Sequence, residues 1–532
     1  MSAFYNISVT DMVIIGLYFV IIILVGIRYR KSADAESYFL AGRGMTWPII
    51  GFSMFATSIS SSTLIGQSGD AYSTGIAVFN YNLMSILVMV IFAWFFLPFY
   101  IKSRIFTLPE FLERRFDAKS RYYFSAVTIL INIFLDAAGG LYAAALVIKL
   151  IFPEMEIATL AIIFAVIVAL YTIPGGLSSA IRVDLMQGVM LTVGAIILTV
   201  IISARGGSAY IADRIHSGDI MMKLVRPLDD PSVPWLGMIL GIPVLGFFFW
   251  GNNQSLVQRA LTAKSVDEAR KGVLLVGLLT LITLFIIIIP GVMAKQFFPG
   301  LERPDMVYPS LVIKMLPVGV VGFMLAALIA ALTSTLSGLL NSVATLFTMD
   351  FYAPNKKNAQ PKQMVMVGRI VSALTLVIAV WWAPQIGTRF SSLLKYYQEM
   401  LAMLAPPIVA SFILGVFWKR INSTGNFAGL IAGAALGLGN LIFKAHHGVS
   451  LFGDIHFLLT VPIYLVFSML IMIIVSYLTK EPDMKKIAPY IWTREIFREE
   501  SLELKQVPFY KNYRILSYML IGLCVVVLIL FR

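Results

Sequence analysis

The 532-residue chain contains one cysteine, four histidines and only 13% charged residues. A single thiol, Cys524, can neither close a disulfide within the chain nor build a thiolate metal cluster. The histidines, His216, His446, His447 and His456, show no metal-ligand spacing and read as residues of polar loops. No G-x-x-x-x-G-K-[ST] occurs, so nothing in the chain binds ATP through that loop. So little charge beside 59% hydrophobic residues and a mean hydropathy of +0.86 excludes the water-facing surface of soluble domains.

What is present instead is a succession of apolar runs: 12–27, 47–68, 75–101, 122–149, 155–173, 183–203, 235–251, 272–294, 318–349, 364–383, 392–418, 425–443, 456–479 and 515–531. Each is near the ~20 residues that a helix needs to cross a bilayer. The chain therefore reads as an all-α polytopic membrane protein of about fourteen transmembrane helices. No basic residue precedes the first run, and Arg28, Arg30 and Lys31 follow it, the reverse of a signal peptide's order. Most of the 41 Lys and Arg then fall in alternate loops, the eight between Lys480 and Arg514 included. The positive-inside rule places those loops in the cytoplasm and both termini outside, in an inner or plasma membrane. This sided distribution accounts for the net charge of +13 without nucleic acid.

Three spans depart from plain membrane helices. Gly51 to Gly69 gathers Thr57, Ser58, Ser60, Ser61, Ser62 and Thr63, which favour an interrupted helix with exposed carbonyls. Gly241 to Asn253 combines glycines, a proline and an aromatic run, again suggesting a break. Val318 to Met349 carries no charge, runs well beyond a single span and clusters Thr333, Ser334, Thr335, Ser337 and Gly338. Interrupted helices in corresponding places of two halves point to an inverted-repeat transporter with its site at the midplane. The simpler reading of any one cluster is close helix packing through small residues.

Ionisable residues inside spans are expensive and are functional candidates by default. Asp136 lies near the centre of 122–149, where a carboxylate is expected to face a polar cavity and accept from a hydroxylated solute, a cation or a proton. Asp184 admits either an interfacial pair with neighbouring Arg182 or a role at a cation site. Glu399 is expected to pair with Lys395 one turn earlier, and Gln398 can donate to and accept from a solute at once.

Five stretches, Ala41 to Gly75, Thr172 to Gly188, Trp250 to Gly272, Ala331 to Tyr352 and Tyr396 to Asn422, resemble the sodium/solute symporter family, most closely its sodium/glucose cotransporter branch. The resemblance implies a five-plus-five inverted repeat. It divides the chain into an extra helix and loop (1–45), a first repeat (46–204), an outer loop (205–234) and a second repeat (235–418). Two more helices (419–479), a cytoplasmic loop (480–514) and a last helix (515–532) follow. It also implies sodium as the coupling ion, bound by backbone carbonyls of Ala56, Ile59 and Ala331 and hydroxyls of Ser334 and Thr335. Oxygen ligands without a carboxylate suit a weakly held monovalent cation that must leave again. Some relatives hold a second sodium at positions matching Asp184, Ser334 and Ser337, but this chain has Gly338 where those carry a further serine.

For the solute, the resemblance implies a site drawing on Ser58, Ser60, Thr63, Asn82, Ser85, Asp136, Phe249 and Gln398. Sialic acid carriers of the family place hydroxyls at positions matching Ser58, Ser60 and Thr63. Against the galactose and glucose carriers the chain keeps Ser85 and Gln398. It departs at Asn82 for glutamate, Gly246 for asparagine, Thr280 for lysine, Asp136 for asparagine and Phe249 for the gating tyrosine. The expected activity is sodium-driven import of a sugar, polyol or sugar derivative by alternating access, with the bilayer as its setting and no organic cofactor. An amino acid, carboxylate or cationic solute on the same fold is the alternative cargo. An enzyme, a sensor or a channel are the alternatives of a different class; no catalytic pair or appended soluble domain supports the first two.

Overall fold

A computed structural model describes residues 8–28, 39–59, 62–149, 152, 154–301, 303–356, 360–389 and 393–532. Among the described residues the chain is helical throughout, with isolated bridges and no named strand. Among the described residues, eleven helices are long and apolar enough to cross a membrane, or twelve if Trp47–Ser58 and Thr63–Thr74 form one interrupted span. The apolar stretches Val9–Ile22 and Ile157–Leu170, each part of a longer helix, are shorter.

The helices that build the site are α1 (Val9–Arg28), α2 (Trp47–Ser58), α3 (Gln67–Thr74), α4 (Asn80–Ile91), α5 (Ala118–Leu130), α6 (Ala138–Lys149), α7 (Ile157–Ile202), α8 (Ile242–Phe247), α9 (Gln254–Ala260), α10 (Val266–Thr283), α11 (Val320–Leu346), α12 (Pro361–Arg389) and α13 (Leu393–Phe417). Behind them pack α14 (Ser423–His447), α15 (Phe457–Leu478), α16 (Arg494–Leu504) and α17 (Tyr513–Leu530).

α11 is the axis of the fold. It is buried along nearly its whole length and packs against α7, α1, α12 and α2. Its alanines, glycine and hydroxyl residues explain the burial, because small side chains let neighbouring backbones approach. Asp11 at the start of α1 caps it: Oδ1 accepts from the backbone N–H groups of Gly319 and Gly322 at 2.8 and 2.7 Å. A carboxylate there satisfies orphan donors and opposes the positive end of the helix dipole.

The two expected interruptions are present, and the long small-residue segment is continuous. α2 ends at Ser58, with Ile59 at φ −74°, ψ 68° outside helical geometry. After α8 the chain passes through π-helical turns at Phe248–Asn252 and an extended Asn253, whose side chain caps α9 through Ser255 N–H. The third, α11, runs unbroken from Val320 to Leu346. Its hydroxyls bond back to carbonyls of the preceding turn, Thr335 to Ala331 and Thr345 to Asn341, and so stay inside the helix rather than breaking it. Helical backbone also continues from Ile157 to Ile202, where the hydropathy pattern puts a connection between two spans. One proline and two glycines lower helix propensity there without leaving a non-helical residue.

Below this core the polar segment 480–514 forms α16 and docks against the end of α10. Arg270 pairs with Glu500, Arg514 reaches Glu500 at 2.8 Å, and its guanidinium lies 3.9 Å from the Phe497 ring centroid.

Candidate functional site

The interruption after α2 is closed locally by hydroxyls. Ser58 Oγ donates to Phe55 O at 2.8 Å, and Thr63 Oγ1 donates to Ser58 O at 2.9 Å across the gap. Ser60 lies outside the described residues. Opposite, Thr335 Oγ1 bridges two helices, donating to Thr57 O on α2 and Ala331 O on α11, both at 3.1 Å. The seam between α2 and α11 therefore carries all five residues expected to hold sodium: Ala56 and Ile59 on one side, Ala331, Ser334 and Thr335 on the other, every one buried.

Ser334 is oriented by Asp184. Its Oγ donates to Asp184 Oδ1 at 2.6 Å, so its lone pairs remain available to a cation while its proton is directed away. Asp184 itself is not at an interface with Arg182 as partner. It is 1% exposed, and its cationic partner is Arg259 of α9, with Nη2 2.7 Å and Nε 3.2 Å from Oδ2. Ser53 of α2 also donates to Oδ2, at 3.0 Å, and accepts from Arg259 Nε at 2.9 Å. The local sequence around Asp184 offered Arg182 because pairing across helices is not visible in linear spacing. Ser337, one turn beyond Ser334, is buried and its Oγ has no hydrogen-bond partner.

A single cavity beside this seam gathers most of the expected solute residues. Ser58, Thr63, Asn82, Ser85, Phe249 and Gln398 all line it, with Gly246 and Thr280. Gln67, Tyr81, Trp250, Thr283 and Tyr397 line it as well. No charged side chain is among the described lining residues. Part of this polar wall is committed to itself. The Gln67 and Asn82 amides exchange two hydrogen bonds of 3.0 Å, and Asn82 Nδ2 also donates to Thr283 Oγ1 at 2.9 Å. Asn82 thus has both donors spent, whereas the buried Gln398 Oε1 has no partner and is an open acceptor. Thr283 and Gln67 sit inside apolar or broken spans, and only the spacing of a hydroxyl or amide on one helix face marked them.

Asp136 does not line the cavity, contrary to expectation. It lies in the π-helical turns Ile131–Ala137 joining α5 to α6, with the Tyr397 hydroxyl beside its carboxylate. Tyr397, its neighbour, lines the cavity wall instead. Tyr396 fastens the two elements, donating to Phe134 O at 2.9 Å and accepting from Trp382 Nε1 at 3.2 Å.

Above the cavity a second, wider one shares Tyr81, Leu394 and Gln398 with it and is rimmed by Asp70, Lys395, Glu399, Lys444, Asp454 and His456. Glu399 pairs with Lys395 at 3.9 Å, as expected, and more closely with Lys444 of α14 at 3.1 Å. His456 is a helix-capping residue, accepting from Leu458 N–H at 3.3 Å.

The family model described as sodium:solute symporter family matches residues 38–433. The sodium/glucose cotransporter 1 of Oryctolagus cuniculus is 30% identical over 550 residues, which cover 93% of this chain and 83% of that protein. The human sodium/myo-inositol cotransporter is 32% identical over 558 residues, covering 94% and 78%. Among solved structures, the substrate-bound outward-open state of a Na+-coupled sialic acid symporter superposes with a TM-score of 0.78 at 22% identity, covering 90% of this chain and 99% of the other. A closed conformation of the nucleobase-cation-symport-1 family transporter Mhp1 superposes with a TM-score of 0.56 at 15% identity, covering 88% and 98%.

Proposed function

Because the chain belongs to the sodium:solute symporter family, we propose that it couples sodium entry to the import of a neutral sugar or polyol by alternating access. The observation that carries the choice of cargo is the cavity wall. It offers hydroxyls, amides and aromatic faces with no charged side chain among its described residues. A carboxylate or ammonium solute there would be desolvated with no counter-charge, at a cost of several kcal/mol. A polyhydroxy solute needs only donors and acceptors, with an aromatic face such as Phe249 or Trp250 to cover an apolar sugar face.

Sodium would bind at the α2–α11 seam, through carbonyls of Ala56, Ile59 and Ala331 and hydroxyls of Ser334 and Thr335. The cation would tie the interrupted helix to the axis and favour the state open to the outside. Solute seated against Gln398, Ser58, Thr63 and Ser85 would then permit the rocking step. Ser60 and Asn82 belong to the same reading, Asn82 by holding the wall and Asp136 by acting through Tyr397. Phe249 is positioned for the gate. The five-plus-five repeat over 46–204 and 235–418 would supply the two rocking halves, in a chain of fourteen spans with both termini outside and the wider cavity as the outer vestibule. Its flanks, 1–45 and 419–532, would stand beside the moving core, and 205–234 would form the outer loop. One sodium entering down ~100 mV contributes about 2.3 kcal/mol. A tenfold gradient adds about 1.4 kcal/mol, together enough for accumulation of several hundredfold.

The test is uptake of labelled glucose, galactose, myo-inositol, sialic acid and an amino acid into proteoliposomes, with and without an inward sodium gradient. Sodium-dependent accumulation confined to the neutral polyhydroxy compounds is the expected result. Accumulation of the charged solutes alone would contradict the assignment of cargo.

A further inference from the structure

Asp184 is a carboxylate in the packed interior of a membrane protein, and such a group requires a cation beside it. We propose that the guanidinium of Arg259 is a resident cation that takes the place of a second sodium at Asp184, so that each transport cycle carries one sodium. This deepens the sodium-symport reading and rests on it.

Three observations support it. First, neither carboxylate oxygen is free: Oδ1 accepts from Ser334 at 2.6 Å, while Oδ2 accepts from Arg259 Nη2 at 2.7 Å and Ser53 at 3.0 Å. Second, the guanidinium is fixed at its other edge, with Nη1 donating to Ser255 O at 2.6 Å on its own helix. It is therefore held in the fold and does not enter and leave with solute. Third, the guanidinium packs directly against Gly338, which has no side chain. A Cβ built on Gly338 would stand 3.0 Å from Arg259 Nη1, Arg259 Nη2 and Thr57 Cγ2. Any side chain at this position, one turn after Ser334, would meet the guanidinium at tight contact.

Two hydroxyls nearby on these helices, Ser337 Oγ and Thr57 Oγ1, are buried without partners. They are neutral lone-pair donors, and the one carboxylate that could join them is already neutralised. Adding sodium would place two positive charges against one negative charge in a medium of low dielectric.

The count of sodium ions bound at saturation decides the matter. Radiolabelled sodium is titrated onto the purified full-length protein without solute and expressed as ions per chain. One ion per chain is expected, with a non-cooperative isotherm. Two ions per chain would overturn this inference while leaving sodium symport intact. No saturable binding would overturn the symport reading and this inference with it. Arg259→Gln removes the charge and keeps hydrogen-bonding groups, and the folded variant is expected to bind two ions where Arg259→Lys binds one. An Arg259→Gln chain that folds and still binds one ion would show that the guanidinium is not what fills the place. Should that variant fail to fold, the wild-type count alone remains decisive.

Discussion

Arg259 and Asp184 are 75 residues apart in the chain and 2.7 Å apart in space, and each is 1% exposed. Through Ser53 and Ser334 the pair joins α9, α7, α2 and α11 in one hydrogen-bonded cluster. Removing one member of a buried pair typically costs about 3–5 kcal/mol, since the other charge is left uncompensated. The cluster is also one hydroxyl away from the sodium seam, because Ser334 belongs to both. α2 and α11 are therefore both tied to the buried ion pair, α2 through Ser53 and α11 through Ser334.

Ser334→Ala and Thr335→Ala are each expected to raise the sodium concentration for half-maximal uptake by roughly tenfold, the loss of about 1–1.5 kcal/mol of oxygen ligation. Solute KM at saturating sodium should change much less. The measurement is uptake across a sodium series at constant ionic strength, and an unmoved sodium midpoint in both variants would remove them from the site.

Gln398 and Gly246 test the cavity. Gln398→Ala deletes the open acceptor and should raise solute KM about tenfold or more, with the sodium midpoint little changed. Gly246→Val builds into the cavity from the other side, its Cβ 3.0 Å from Ser85 Oγ. That variant should lose uptake of the larger solutes first. Transport kinetics over solutes of graded size would check both, and equal loss for all sizes would point to misfolding rather than a filled site.

How far these positions could be read without coordinates follows from the kind of signal each carries. The hydroxyl run from Thr57 to Thr63 and the small-residue stretch around Ser334 announce themselves in hydropathy, since apolar spans seldom spend so many positions on polar groups. Gln398 and Ser85 were reachable by resemblance. Arg259 stands in sequence with Lys264, Arg270 and Lys271 between two apolar runs, and linear charge counting cannot see that it is buried beside Asp184. Asp136 stands out as a carboxylate in mid-span, but nothing in its neighbouring residues tells that it lies outside the cavity lining. The continuous α11 is legible in its long charge-free run of small residues.

Asp136 is expected to act as a positioning residue for Tyr397. Asp136→Asn and Tyr397→Phe should each shift solute KM by a few-fold at unchanged sodium midpoint. Their double variant should be no worse than the more severe single one. Fully additive effects in the double-mutant cycle would separate the two residues and return Asp136 to packing.

Glu500 tests the docked helix α16. Burial pushes its carboxyl up, but the Arg270 guanidinium, with the Tyr513 hydroxyl and Arg514, outweighs this and holds it below the ordinary value of 4.5. A carboxyl depressed in the folded state contributes stability that is present above the unfolded value and lost as pH falls through the folded one. Glu500→Gln should therefore lower Tm at pH 7 by removing charged hydrogen bonds worth about 1.5–3 kcal/mol each. The difference from wild type should shrink below pH 4.5. Thermal melting in detergent across pH 3.5–7, roughly the span of carboxyl titration, reads this directly, and a gap that widens on acidification would contradict the assignment.

The central claim is that solute movement is driven by sodium. Proteoliposomes are allowed to accumulate labelled myo-inositol or glucose under an inward sodium gradient, and a sodium ionophore then collapses the gradient. Coupled symport predicts that accumulated solute runs back out until the two sides are equal. Retention of the accumulated solute after the sodium gradient has gone would contradict it.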